Sequence, residues 1–373
     1  MAKWTEAKAQ TSAAKAGYSA SRVELLSDYY GSLIDSGKIR AAGFLMARNG
    51  KTFCHRVAGK QHHTENSADI QPDAIKHMAS ITKVFTATAA MKLVEDGKLW
   101  LEQPVKSILS EFDTPMHGNI NLWHLLTHTS GLWADDGYWC EPYPIDYFEI
   151  INKPDWIKRL LSGPIQAKPG EQWNYCTLGF SVLGEMIARV TGMKVEDYIE
   201  KEVFKPLGMT RSFFNPDKSL IPDITTTESW ETDSFINGPR DERHFALGGF
   251  GAYSSLPDMF RFAQCYLNGG TLDGVRLLGR KTVEAMTRNQ LENVPSFHWG
   301  KNCKSFRQGL GWEFYSDGPT ESVECYNHEG WGWCSLFIDP REQFIFASFT
   351  NTHEGWNPDV MVKPRTIAFS GII

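Results

Sequence analysis

Asn49-Gly50 separates two apolar-rich runs, Ala42-Gly43-Phe44-Leu45-Met46-Ala47-Arg48 and Lys51-Thr52-Phe53-Cys54-His55-Arg56-Val57. Asn and Gly both tolerate the positive φ that a two-residue hairpin turn demands, so the pattern predicts an antiparallel strand pair near the N-terminus. A second hairpin is predicted near the C-terminus, where Trp333 to Ile338 and Phe344 to Phe349 flank the turn Asp339-Pro340-Arg341-Glu342. Strands at both ends fit one sheet built from both termini. Between them, from 101 to 235, prolines recur (Pro104, Pro115, Pro142, Pro144, Pro154, Pro164, Pro169) and strand-like alternation is scarce. Short helical pieces are expected there, at 145–163 and 178–203. The resulting fold class is α/β (α+β): an antiparallel sheet flanked by helices, with an inserted mainly helical subdomain. Residues 1–100 and 236–373 form the sheet part, residues 101–235 the insertion, and a cleft is expected between them. Residues 5–37 read as helix, as do Leu256 to Leu267.

After the first hairpin comes Met78-Ala79-Ser80-Ile81-Thr82-Lys83-Val84-Phe85. Apolar residues then recur at Val84, Ala87, Met91 and Val94, which is helical spacing, and Asp96-Gly97 ends the run. Residues three apart share a helix face, so the Lys83 ammonium can reach the Ser80 hydroxyl. A hydroxyl is a weak nucleophile at neutral pH, and an adjacent amine is one of the few remedies. The same spacing occurs at Ser12-Ala13-Ala14-Lys15, so spacing does not by itself single out a site.

Composition narrows the function. The 373 residues are 42% hydrophobic and 22% charged, and the net charge of −6 comes from interspersed charges. With no basic block, nucleic acid is excluded as an expected partner. Seven scattered cysteines form no CxxC pair, so they read as reduced thiols of a cytoplasmic protein, without a disulfide framework or a zinc site. No apolar h-region follows Met1, and no run of 18 apolar residues exists, so neither export nor a membrane span is expected. Thirteen Trp and 22 Phe leave aromatic residues to spare for an apolar pocket. Candidates lie near the motifs: Trp133, Tyr138, Trp139, Tyr143, Trp173, Trp331 and Trp333.

Three further stretches carry chemistry-bearing residues. Leu125-Leu126-Thr127-His128-Thr129-Ser130-Gly131-Leu132 follows His124, and the two histidines have the i, i+4 spacing of metal ligands. No glutamate lies between them and no third ligand is evident, so a hydrogen-bonded turn is expected and no metal. Lys168-Pro169-Gly170-Glu171-Gln172-Trp173-Asn174-Tyr175-Cys176-Thr177 places a tyrosine just before a helix that starts near Leu178. Asn327-His328-Glu329-Gly330-Trp331-Gly332-Trp333 offers glycines that let a strand backbone approach a ligand.

These motifs stand in the order found in the class C β-lactamase and D-Ala-D-Ala carboxypeptidase family, and the chain resembles it from about residue 20 to about 350. Its closest character is that of family VIII carboxylesterases and related amidases. The resemblance implies that Ser80 is the acyl-accepting nucleophile, that Lys83 poises the proton network and that Tyr175 is the general base. It implies an oxyanion hole from the backbone N–H groups of Ser80 and Trp331. His328, Gly330, Thr177 and Trp331 would contact substrate, with no cofactor.

Two departures bear on the substrate. The family's Tyr-x-Asn is here Tyr175-Cys176-Thr177, and a threonine lacks the NH₂ donor of the carboxamide. The family's Lys-Thr-Gly is here His328-Glu329-Gly330, and a histidine is mostly neutral at pH 7. Recognition of a substrate amide and of a substrate carboxylate should both weaken. The expected function is a serine hydrolase acting on small esters, with amides or β-lactams as weaker substrates. The alternatives are a D-amino acid amidase, aminopeptidase or D-Ala-D-Ala carboxypeptidase, an acyltransferase, and a non-catalytic β-lactam or peptide sensor. The partner in each case is a small molecule.

Overall fold

The computed structural model describes residues 2–133, 153–236, 244–297, 303–314, 320–355 and 357–373. Tyr138, Trp139, Tyr143 and the first part of the helical piece 145–163 lie outside them. The central sheet has six strands, all antiparallel, in the order β1-β3-β2-β10-β9-β8. Here β1 is Trp4–Glu6, β2 Ala41–Arg48 and β3 Lys51–Gly59; β8 is Tyr326–Gly330, β9 Cys334–Asp339 and β10 Phe344–Thr350. Both termini therefore build the sheet, joined where β10 pairs with β2. Two short pairs stand apart: β4 (Ile75–His77) with β5 (Tyr253–Ser255), and β6 (Thr271–Leu272) with β7 (Val275–Arg276).

Strand β2 is buried along nearly its whole length, because helices cover both faces of the sheet. Ala41, Leu45 and Ala47 face the main core, whereas Ala42, Phe44 and Met46 face a second core. That is why the run reads as continuously apolar instead of alternating. Gly43 is required by its neighbour across the sheet: a Cβ there would lie 2.6 Å from the Phe349 ring.

The second core lies under α1 (Ala20–Asp35) and the C-terminal helix Pro358–Phe369, which pack together on one face. The main core lies on the other face, around α2 (Thr82–Glu95). Eleven of the fourteen residues of α2 are buried, as expected of a helix with apolar and small residues all round. Asp96 caps it and Gly97 follows with φ +68°. Among the described residues between 101 and 236 the regular elements are helical: α3 (Leu122–Leu126), α4 (Trp156–Leu160), α5 (Thr177–Thr191), α6 (Val195–Ile199), short 3₁₀ turns and two π-helical turns, Glu200–Phe204 and Glu231–Ile236. Helix α7 (Leu256–Leu267) has the expected bounds. No helix among the described residues is long and apolar enough to cross a membrane.

Two local expectations are corrected. Residues 5–19 form no α-helix: Trp4–Glu6 pairs with β3, a 3₁₀ turn covers Ala14–Ala16, and α1 starts at Ala20. Trp333 belongs to a turn, Trp331-Gly332-Trp333, with φ +52° at Trp333 and +81° at Gly332, and β9 starts at Cys334.

Candidate active site

Ser80 sits in a 3₁₀ turn, Ala79–Ile81, that runs straight into α2. The preceding Ala79 has φ +43°, which costs a Cβ-bearing residue about 1–2 kcal/mol. The turn thus holds Ser80 half-exposed at the mouth of an otherwise buried cluster. Lys83, one turn on, is fully buried. Its Nζ donates to Ser80 Oγ at 3.0 Å, to Thr177 Oγ1 at 2.9 Å and to the Gly249 carbonyl at 2.9 Å. These acceptors match the three donors of an ammonium.

Thr177 is the first residue of α5, so the segment Tyr175-Cys176-Thr177 passes from extended chain into helix beside Lys83. Cys176 Sγ accepts from the Gly179 amide as the N-terminal cap and donates to the Trp133 carbonyl. Gly249 is glycine for space: a Cβ there would lie 2.6 Å from the Thr177 carbonyl oxygen and side chain. The Gly-rich turn of 248–253 therefore brings a main-chain acceptor to the lysine, which the sequence does not signal.

Tyr175 is buried, and its ring centre lies 4.6 Å from Lys83 Nζ. On its other contacts it stacks on His128 (4.5 Å, 29°) and approaches His328 at 6.3 Å. His128 Nδ1 accepts the Cys176 amide, and the His128 carbonyl accepts the Asn174 amide. The stretch 125–132 is thus the hydrogen-bonded turn expected from the sequence, and it also seats the tyrosine. His124 serves the start of α3, accepting from the Asn121 amide while its own amide donates to the Asn121 side chain. No cluster of metal-ligating side chains occurs among the described residues.

His328 and Gly330 lie on the strand β8, immediately before the β9–β10 hairpin, and pair with Leu336 and Cys334 of β9. A Cβ on Gly330 would fall 2.3 Å from the Met78 carbonyl, so the end of β8 runs against the turn that carries Ser80. His328 is fully buried, and its Nδ1 donates to the Glu329 carbonyl at 2.8 Å. Burial, with the Lys83 charge adding to it, pushes the His328 imidazole down to about 3. It is therefore neutral at pH 7. Glu329 points to the other face of the sheet, where it accepts from Ser335. Trp331 follows Gly330, and its indole is partly exposed beside Trp230.

Among the aromatic candidates, Trp173 is core: it is buried, stacks on Phe306 at 3.9 Å and donates to Gln308. Trp333 donates to the Glu354 carbonyl. Trp230, absent from the sequence candidates, joins Trp331 at the surface. The cluster Ser80, Lys83, Tyr175, Thr177, Gly249 and His328 has the parts of a serine nucleophile with basic neighbours.

The sequence model of the Beta-lactamase family matches residues 26–369. A protein of Escherichia coli O157:H7 provisionally named a D-alanyl-D-alanine carboxypeptidase is 24% identical over 92% of this chain and 85% of its own length. Among solved structures, a penicillin-binding protein homologue from Caulobacter crescentus superposes with a TM-score of 0.74 at 19% identity, covering 95% of this chain and 97% of the other. A family VIII carboxylesterase gives 0.73 at 18% identity, covering 98% and 100%. A class C β-lactamase from Rhodobacter sphaeroides gives 0.70 at 18%, covering 92% and 98%. With nearly the whole chain matched by the family's own sequence model, the protein belongs to the beta-lactamase family.

Proposed function

We propose that the protein is a serine hydrolase that forms an acyl-enzyme on Ser80 and prefers small, uncharged esters. The observation that carries this reading is the 3.0 Å contact between the buried Lys83 ammonium and Ser80 Oγ, with Tyr175 packed over the same ammonium. In this scheme Ser80 Oγ attacks the ester carbonyl and its proton passes to Tyr175, whose phenolate Lys83 stabilises. The oxyanion is held by the amides of Ser80 and Trp331, each such donor contributing roughly 10²–10³ in rate. Collapse expels the alcohol, which takes the proton from Tyr175. Water then attacks the acyl-enzyme with Tyr175 again as base, releasing the acid and Ser80.

The preference for uncharged substrates is supported by His328. Where the family pattern has a lysine, this chain has a neutral, buried imidazole, which offers a substrate carboxylate no charge. Thr177 accepts from Lys83, and so supports a poised lysine without the carboxamide that would grip a substrate amide. Gly330 keeps the strand edge close to Ser80. Among the described residues six cysteines are free thiols, which supports the reading of a reducing, cytoplasmic setting. A second reading, a peptidase of the D-Ala-D-Ala carboxypeptidase kind, is favoured by the name of the bacterial relative above.

Turnover of p-nitrophenyl acetate, the matched p-nitroanilide and a D-alanyl-D-alanine peptide separates the two. The expected result is ester turnover far above the others, lost in Ser80→Ala and kept in Ser12→Ala. Peptide turnover above ester turnover would transfer the assignment to the peptidase reading.

A further inference from the structure

The turn Trp331-Gly332-Trp333 rests on an arrangement that the ester mechanism does not use. Trp331 stacks on His353 at 4.2 Å and 29°, and Trp230 packs against both, 5.8 Å from Trp331 and 5.1 Å from His353. His353 Nε2 lies 3.3 Å from Glu231 Oε1. The other oxygen of Glu231 accepts the Thr227 and Glu228 amides, so the carboxylate is fixed at the start of its π-helical turn. The far end of the turn is tied to the same segment: the Trp333 indole donates to the Glu354 carbonyl, and the Trp333 carbonyl accepts the Thr350 amide.

Lys76 lies beneath. It is buried, and a Cβ on Gly332 would come 3.6 Å from its Nζ and 3.6 Å from the His353 ring. Burial opposes ionisation of Glu231, yet the His353 contact, the Lys76 charge and the two amides outweigh it and bring the carboxyl down to about 2. Burial in turn lowers Lys76 from the usual lysine range, with the Glu231 charge opposing it, and a buried acid–base pair often stabilises a fold no more than an apolar filling of the same volume. Lys76 lies against Gly332, and Glu231 against the His353 ring that stacks on Trp331, the residue that follows Gly330.

We infer that Glu231 and His353 are positioning residues for Trp331: Glu231 fixes the His353 ring, the ring fixes the indole, and the indole fixes the turn that presents the Trp331 amide. The inference rests on the reading of that amide as an oxyanion donor. A donor displaced by about 1 Å loses most of its effect, and such displacements cost up to about 10²-fold. His353 touches no reacting atom in this scheme, so its loss should lower kcat and leave KM nearly unchanged.

The test compares His353→Phe with His353→Leu in the full-length protein, using p-nitrophenyl acetate. Both are apolar, but only phenylalanine can stack on Trp331. Leu should lower kcat roughly 10- to 100-fold, and Phe should recover most of that loss. Glu231→Gln should lower kcat several-fold with KM unchanged. Equal kcat for Phe and Leu, or a loss confined to KM, would overturn the inference, and a variant that fails to fold leaves the remaining two to decide. Labelling of wild-type Ser80 by a fluorophosphonate separates the possible failures. Wild type that neither labels nor turns over refutes the hydrolase reading itself, whereas active wild type with an insensitive position 353 refutes only the positioning role.

Discussion

At the scale of the residue, Lys83 is the pivot. A buried ammonium must have its donors met, and three acceptors from three separate segments meet at it: Ser80, Thr177 and Gly249. Thr177→Val keeps the shape and removes one acceptor. An unmet buried donor costs about 1–3 kcal/mol, which is about 5- to 150-fold in kcat if it falls on the reactive geometry. Steady-state kinetics on p-nitrophenyl acetate should show that loss, and an unchanged kcat would mean that Thr177 is a bystander. The side-chain members of this cluster were legible in the sequence, because Ser80, Lys83, Tyr175, Thr177 and His328 each sit in a short ordered motif. Gly249 was not, since a carbonyl acceptor leaves no side-chain signature. Glu231 and His353 were not either: their meeting is a tertiary event between segments 122 residues apart, with no local pattern to announce it.

At the scale of the element, the site depends on β8 running close against the Ser80 turn. Gly330 is what allows it, and Gly330→Ala would drive a methyl group into the Met78 carbonyl and the Cys334 sulfur. Neither neighbour is a flexible side-chain tip. Overpacking of this kind costs about 1–3 kcal/mol. The variant should unfold at a lower temperature in calorimetry and lose ester turnover more than it loses stability. Wild-type kcat in a destabilised Gly330→Ala protein would show that strand and turn need not be this close. The hairpins were read correctly because Asn49-Gly50 and Asp339-Pro340 are turn-forming in themselves. The N-terminal segment was misread because Trp4–Glu6 becomes a strand only by pairing with β3, some 50 residues away. Trp333 was misread because an aromatic residue next to a strand favours extension, and here the turn forces it to positive φ.

At the scale of the whole molecule, buried histidines set the response to acid. Burial pushes His55 and His124 down to about 4, and burial with the Lys83 charge pushes His328 down to about 3. Each stays neutral in the folded protein where an unfolded histidine, with its ordinary value near 6.5, takes a proton. The unfolded state then binds more protons, so stability is complete above about pH 6.5 and falls as pH drops towards 4. For fully buried His328 the slope approaches about 1.4 kcal/mol per pH unit. Glu200 and Asp258, raised by burial, offset part of the fall. Urea midpoints should be level between pH 8 and 7 and drop steadily from 6 to 4.5; a level midpoint down to 4.5 would mean that these imidazoles are not buried neutral. Ser80 and Lys83 are neighbours in sequence, but Thr177 of α5, the Gly249 carbonyl and the end of β8 reach them from distant parts of the chain. The most direct test of the account is intact-mass analysis with peptide mapping after exposure to a fluorophosphonate. The account requires one adduct per chain, on the peptide carrying Ser80, and none in Ser80→Ala; an adduct on another residue, or full labelling of Ser80→Ala, would contradict it.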